Sequence, residues 1–186
     1  DISQWREMTV DLTITPQDVS ISNVRQILFA GGKWVGNYIS PELEVPEAHK
    51  AVLMQVGAYA RDHGHVADEG INCGIDYFVS GDEVIVTEIN ARWTGGLFPA
   101  EFLRRLAITQ PAVAFFDMVP VAQSKAVQTF QREHLFPAAG EAFAYVPMGF
   151  TPFAMEIEGA ERYFVWQIVV GDFAAFVEAK LSLIHI

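Results

Sequence analysis

Glu88, Asn90 and Arg92 recur at every second position of a β-prone run, so an extended strand presents all three on one face. Ile85, Thr87, Ile89 and Ala91 take the other face. An acid, an amide oxygen and a guanidinium in one row suit a hard divalent cation and the phosphates that it neutralises. Mg²⁺ takes oxygen ligands and leaves coordination positions for phosphate. Charge buried on a sheet is costly without such a partner.

A second acid, in Gly74-Ile75-Asp76, lies on the preceding strand, and the turn between the strands decides whether it joins the row. With Gly81-Asp82-Glu83 as a three-residue hairpin loop, Ser80 pairs with Val84 and Asp76 falls opposite Glu88. The facing carboxylates repel, and a cation between them offsets the repulsion. A loop one residue shorter or longer turns Asp76 to the other face.

Each residue also has a plain structural reading. Asp82 and Glu83 are ordinary solvated turn acids. Asp76 alone serves equally as an edge-strand charge that discourages aggregation, and Arg92 as a structural partner for Glu88. Glu and Asn are depleted in strands, yet here they interrupt the run begun by Val84-Ile85-Val86 rather than ending in a loop. Trp93-Thr94-Gly95-Gly96 then forms a loop able to bring backbone N–H groups to an anion, or merely to turn the chain from strand to helix.

The elements that position these groups read as α+β. Alternation predicts strands over 8–15, 19–30 and 34–39, with turns at Pro16-Gln17-Asp18 and Gly31-Gly32-Lys33. Pro46 opens a helix running to about residue 63, with Val52, Leu53, Val56, Tyr59 and Ala60 as its apolar stripe and Gly64 as its stop. Strands over 71–79 and 84–90 follow, then a helix over 99–108 carrying Phe98, Phe102, Leu103 and Leu106 at helical spacing. Past residue 110, prolines punctuate short apolar segments. The pattern there predicts strands over 142–147 and 162–170 and a helix over 172–180.

Composition narrows the function classes. Twelve basic against 23 acidic residues give a net charge of −11, which disfavours a nucleic-acid surface but leaves room for a nucleotide held through a local metal. The single cysteine, Cys73, excludes an internal disulfide and agrees with a cytoplasmic setting. No apolar run approaches the ~20 residues of a membrane span. His49, His63, His65 and His134 lack metal-ligand spacing. Apolar residues make up 51% of the chain, which hints at surface covered by another part of the protein. The opening Asp1-Ile2-Ser3 reads as a cut inside a fold, and the tail over 181–186 as adapter read-through, so His185 is given no function.

The stretch over 19–106, above all G-I-D-Y-F followed by S-G-D-E-V-I-V-T-E-I-N-A-R, resembles the C-terminal part of an ATP-grasp ligase domain. The resemblance implies an antiparallel sheet with flanking helices over 1–110, the C-terminal lobe of the grasp, and a small α/β appendage over 111–186. It implies ATP and Mg²⁺ as cofactors, with Asp76, Glu88 and Asn90 as metal ligands, Arg92 near the reacting phosphates, and Thr94, Gly95 and Gly96 positioning phosphate or carboxylate. It further implies carboxylate and amine substrates joined through an acylphosphate. The glycine-rich lid and phosphate-binding lysines are expected in an N-terminal half of the same protein. A metal-dependent phosphohydrolase and a non-catalytic binding domain remain open beside the ligase reading.

Overall fold

The computed structural model describes residues 4–30 and 32–184. The start at Asp1-Ile2-Ser3, Gly31 and His185 lie outside the described residues. The chain divides into two compact units, 1–109 and 110–186. Each is α+β, with antiparallel strands and flanking helices.

In the first unit, β1 (Arg6–Ile14), β2 (Val19–Ala30), β3 (Lys33–Ile39), β4 (Ile71–Ser80) and β5 (Glu83–Asn90) pair in the order β5-β4-β1-β2-β3. Strict alternation divides the central strands. Met8, Val10, Leu12 and Ile14 of β1 join Cys73, Ile75, Tyr77 and Val79 of β4 in the buried cluster, together with Leu53 and Ala60 of α1 (Glu47–Asp62). The opposite face receives Thr9, Asp11, Gly74 and Asp76.

The helix α1 follows Pro46 as anticipated, but its buried positions are His49, Leu53, Gly57 and Ala60. Tyr59, expected in the stripe, is exposed. The line turns towards Gly57 because the helix approaches the sheet there: a Cβ would stand 2.5 Å from Val19 Cγ1 and 2.7 Å from Leu12 Cδ1. The second helix, α2, spans Leu97–Arg105 and starts two residues before the expected proline. It buries Leu97, Pro99, Ala100 and Leu103, leaving Phe98, Phe102 and Leu106 exposed, so most of the expected stripe faces outward.

In the second unit, β6 (Ala112–Pro120), β7 (Phe143–Phe150) and β9 (Ala160–Gly171) pair in the order β6-β9-β7, and β8 (Met155–Ile157) forms a hairpin with β9. Two helices, α3 (Ser124–Glu133) and α4 (Phe173–Ile184), complete it. Residues 181–184, expected as tail, continue α4. An aromatic cluster fixes the packing: the Phe176 ring lies 5.6 Å from Phe115, 5.6 Å from Phe143 and 5.5 Å from Tyr145. Neither β6 nor α3 is foreshadowed in the sequence reading. No described helix is long and apolar enough to cross a membrane.

Candidate functional site

Asp76 stands opposite Glu88, but by a different route from the one expected. The turn is Gly81-Asp82 alone, with Ser80 paired to Glu83; Gly81, at φ +58°, takes the first position of a primed two-residue turn. That shorter loop by itself would put Asp76 opposite Thr87. A bulge between Asp76 and Tyr77 accommodates one extra residue on β5, so Tyr77 faces Val86 and Asp76 faces Glu88. Two offsets cancel, and the carboxylates meet.

Asn90 completes the group from the end of β5. Its amide donates to Asp76 Oδ2 at 3.3 Å, and the residue is buried while Glu88 is exposed. Arg92 does not join the row. The strand ends at Asn90, so alternation no longer sets the direction of Arg92; its guanidinium donates to the Trp93 carbonyl at 3.4 Å. Among the described residues no ion pair joins Arg92 to Glu88.

Behind these groups lies a buried ion pair that the sequence reading did not single out. Arg25 of β2 and Asp11 of β1 are both fully buried, with Arg25 Nη2 donating to Asp11 Oδ2 at 2.5 Å. Arg25 Nη1 donates to Asn23 Oδ1 at 2.6 Å, while its Nε has no partner. The available signal was Asp11 between Val10 and Leu12, an acid on the polar side of a strictly alternating strand.

Thr94 closes over this pair. Its hydroxyl donates to Asp11 Oδ1 at 3.1 Å and accepts from Arg25 Nη2 at 3.2 Å. The arrangement needs Gly74 beneath it, because a Cβ there would stand 2.1 Å from Thr94 Cγ2. Gly96 is also closely packed, though less tightly, with a Cβ 2.9 Å from Arg25 Nε and 3.0 Å from Asn37 Nδ2. Gly95 is exposed, with open space around it. Thr94 is therefore bound up in the interior network, whereas Gly95 faces outward at the approach to α2.

Electrostatics mark the same row. Burial, the largest influence, pushes the Asp76 carboxyl above its usual range; a hydrogen bond with Thr9 pulls the other way, and the Glu88 carboxylate pushes up again. Glu7 is likewise raised, by burial and then by Asp76. A cation would relieve this crowding of negative charge, and the two carboxylates with the Asn90 amide oxygen are the donor types that a hard divalent ion accepts. Among the described residues no cluster of three or more histidine, cysteine, aspartate or glutamate side chains is arranged for a metal. The group here has two carboxylates and an amide.

No family model matches the sequence, and no curated protein matches it. Solved structures do match in fold, and that fold is the one found in ATP-grasp ligases. One is an N5-carboxyaminoimidazole ribonucleotide synthetase, PurK, in an ADP complex: 11% identity, TM-score 0.55, covering 96% of this chain and 48% of that one. An N5-carboxyaminoimidazole synthetase from Staphylococcus aureus, complexed with ADP, matches at 11% identity and TM-score 0.53, over 97% of this chain and 50% of that chain. An L-amino acid ligase from Bacillus licheniformis matches at 10% and 0.53, over 96% and 52%. This chain thus spans about half the length of each. At such identities the likeness is one of fold.

Proposed function

We propose that this chain supplies one wall of a Mg²⁺–ATP site in an enzyme that joins a carboxylate to an amine or similar nucleophile. The observation that carries the reading is the cross-strand pair Asp76–Glu88, with Asn90 on the same face, above a buried arginine. The names of the proteins sharing the fold, synthetases in ADP complexes and an amino acid ligase, agree with it. Their lengths support a further part of the same protein, outside these residues, as the other wall of the cleft.

In this scheme the γ-phosphoryl group of ATP passes to the acid, ADP leaves, the amine attacks the acylphosphate carbonyl, and inorganic phosphate departs. Asp76, Glu88 and Asn90 would hold the magnesium, with Asn90 turning its amide oxygen towards the ion. The ion supplies charge neutralisation between the phosphates. Asp76 and Glu88 give the site its negative potential, and Arg25 fixes the sheet beneath them through Asp11. Arg92, exposed at the strand end, would swing towards the transferred phosphoryl group to offset its charge. Gly95 and Gly96 would offer backbone N–H groups to phosphate or carboxylate, while Thr94 holds the loop in place. The setting is cytoplasmic, where ATP and a reduced Cys73 thiol coexist.

The test is ADP release by the full-length protein with Mg²⁺–ATP and a panel of acids and amines. Release that requires both an acid and an amine, and that falls about 10²-fold or more in Glu88→Gln, is the expected result. Release with neither present would identify a phosphohydrolase. Unchanged magnesium-nucleotide binding in Glu88→Gln would leave only the binding-domain reading.

A further inference from the structure

The second unit contains a cavity of about 550 Å³ between α3 and its sheet, within the roughly 300–1,000 Å³ typical of small-molecule pockets. Its wall is largely apolar and aromatic, including Val127 of α3, Tyr145 and Pro147 of β7, and Tyr163 and Trp166 of β9. Phe150, three-quarters exposed, stands at the rim. Among the polar groups are Gln131 and the exposed Arg132; no ion pair involving Arg132 occurs among the described residues.

A buried hydrogen-bond chain behind the wall has a fixed direction. Ionised Asp117 only accepts, and it takes both Lys180 Nζ and, at 3.3 Å, Gln167 Nε2. The fully buried Gln167 must therefore present its oxygen on the other side, where it accepts from Gln131 Nε2 at 2.9 Å. Gln131 is also the side chain that acts on the Tyr145 phenol. That phenol is buried and makes no hydrogen bond of normal geometry, so its O–H is left without an acceptor. Burial and then the Asp117 charge push its pKa well up, outweighing the opposing influence of Gln131, and the proton stays on at neutral pH.

We propose that this cavity binds a small carboxylate with an aromatic or apolar body, its carboxylate accepting from the Tyr145 hydroxyl and the Arg132 guanidinium. The aromatic wall provides the contact area, and the Tyr145 hydroxyl is a donor left without a partner. This site lies wholly within the second unit and stands or falls independently of the ligase reading.

The probe is 4-phenylbutyrate, titrated into the ¹⁵N-labelled chain while amide shifts are followed. Saturable shifts at Gln131, Arg132, Tyr145 and Gly149, with Kd on the order of 1 mM, are expected. Tyr145→Phe keeps the packing and should weaken binding about fivefold. Arg132→Ala alters an exposed residue and should abolish the preference for 4-phenylbutyrate over the neutral 4-phenylbutyramide. Absence of saturation at these residues up to about 10 mM would overturn the proposal. So would equal affinity for acid and amide in the unaltered chain, or unchanged binding in Tyr145→Phe.

Discussion

Gly74 and Thr94 form a lock that a methyl group can test. In Gly74→Ala the new Cβ meets Thr94 Cγ2 at 2.1 Å, so the loop must shift, costing about 1–3 kcal/mol by overpacking. Thr94→Ser removes Cγ2 but keeps the hydroxyl bonded to Asp11. Urea unfolding of the single and double variants should show the alanine costing far less in the serine background; equal costs would exclude this contact as the reason for glycine. Asp11→Asn leaves Arg25 buried without its counter-charge and should lose about 3–5 kcal/mol in the same measurement. Asp76 gives a pH signature. Its carboxyl is raised in the folded chain, so between the usual 3.8 and the folded value the native state binds more protons than the unfolded one. Stability from this group is therefore highest below that interval, declines as pH rises through it, and stays low above. Asp76→Asn should stabilise the chain at neutral pH, and the gain should fade in acid; a gain that grew on acidification would contradict the assignment.

Among the elements, the β4–β5 hairpin shows how a correct pairing followed from two compensating features. Gly81 holds a left-handed φ, so Gly81→Ala should cost about 1–2 kcal/mol, read from the thermal or urea midpoint. The strands of the first unit were legible because their apolar and polar residues alternate, as in Met8, Val10, Leu12 and Ile14 against Thr9 and Asp11. The Asp76–Glu88 pairing was anticipated, but the bulge at Thr87 was not, since nothing in Val86-Thr87-Glu88 distinguishes a bulged from a regular residue. The shared face expected for Arg92 extended that alternation past Asn90, where the strand stops. The second unit was less readable. The run Ala112-Val113-Ala114-Phe115 has no period to separate strand from buried helix, and α3 carries only Val127 and Phe130 as buried residues within a polar segment. Arg25 escaped notice because a charge inside a strand reveals its partner only once β1 and β2 are paired.

Across the whole chain, 23 acidic residues against 12 basic ones make self-repulsion a general burden. Raising ionic strength from about 0.01 to 0.15 M, which shortens the screening length from about 30 to 8 Å, should raise the unfolding midpoint. A fall would place the dominant electrostatics in attractive pairs instead. The divided sheet of the first unit has one more consequence. Sliding β1 or β4 by a single residue against its neighbours would drive Asp11 and Asp76 into the oily layer beneath α1 and throw Leu12 and Ile75 out into water. Asp11 and Asp76 therefore also act as a check on strand alignment, because each misthreaded pairing of β1 with β4 would bury a carboxylate without a partner.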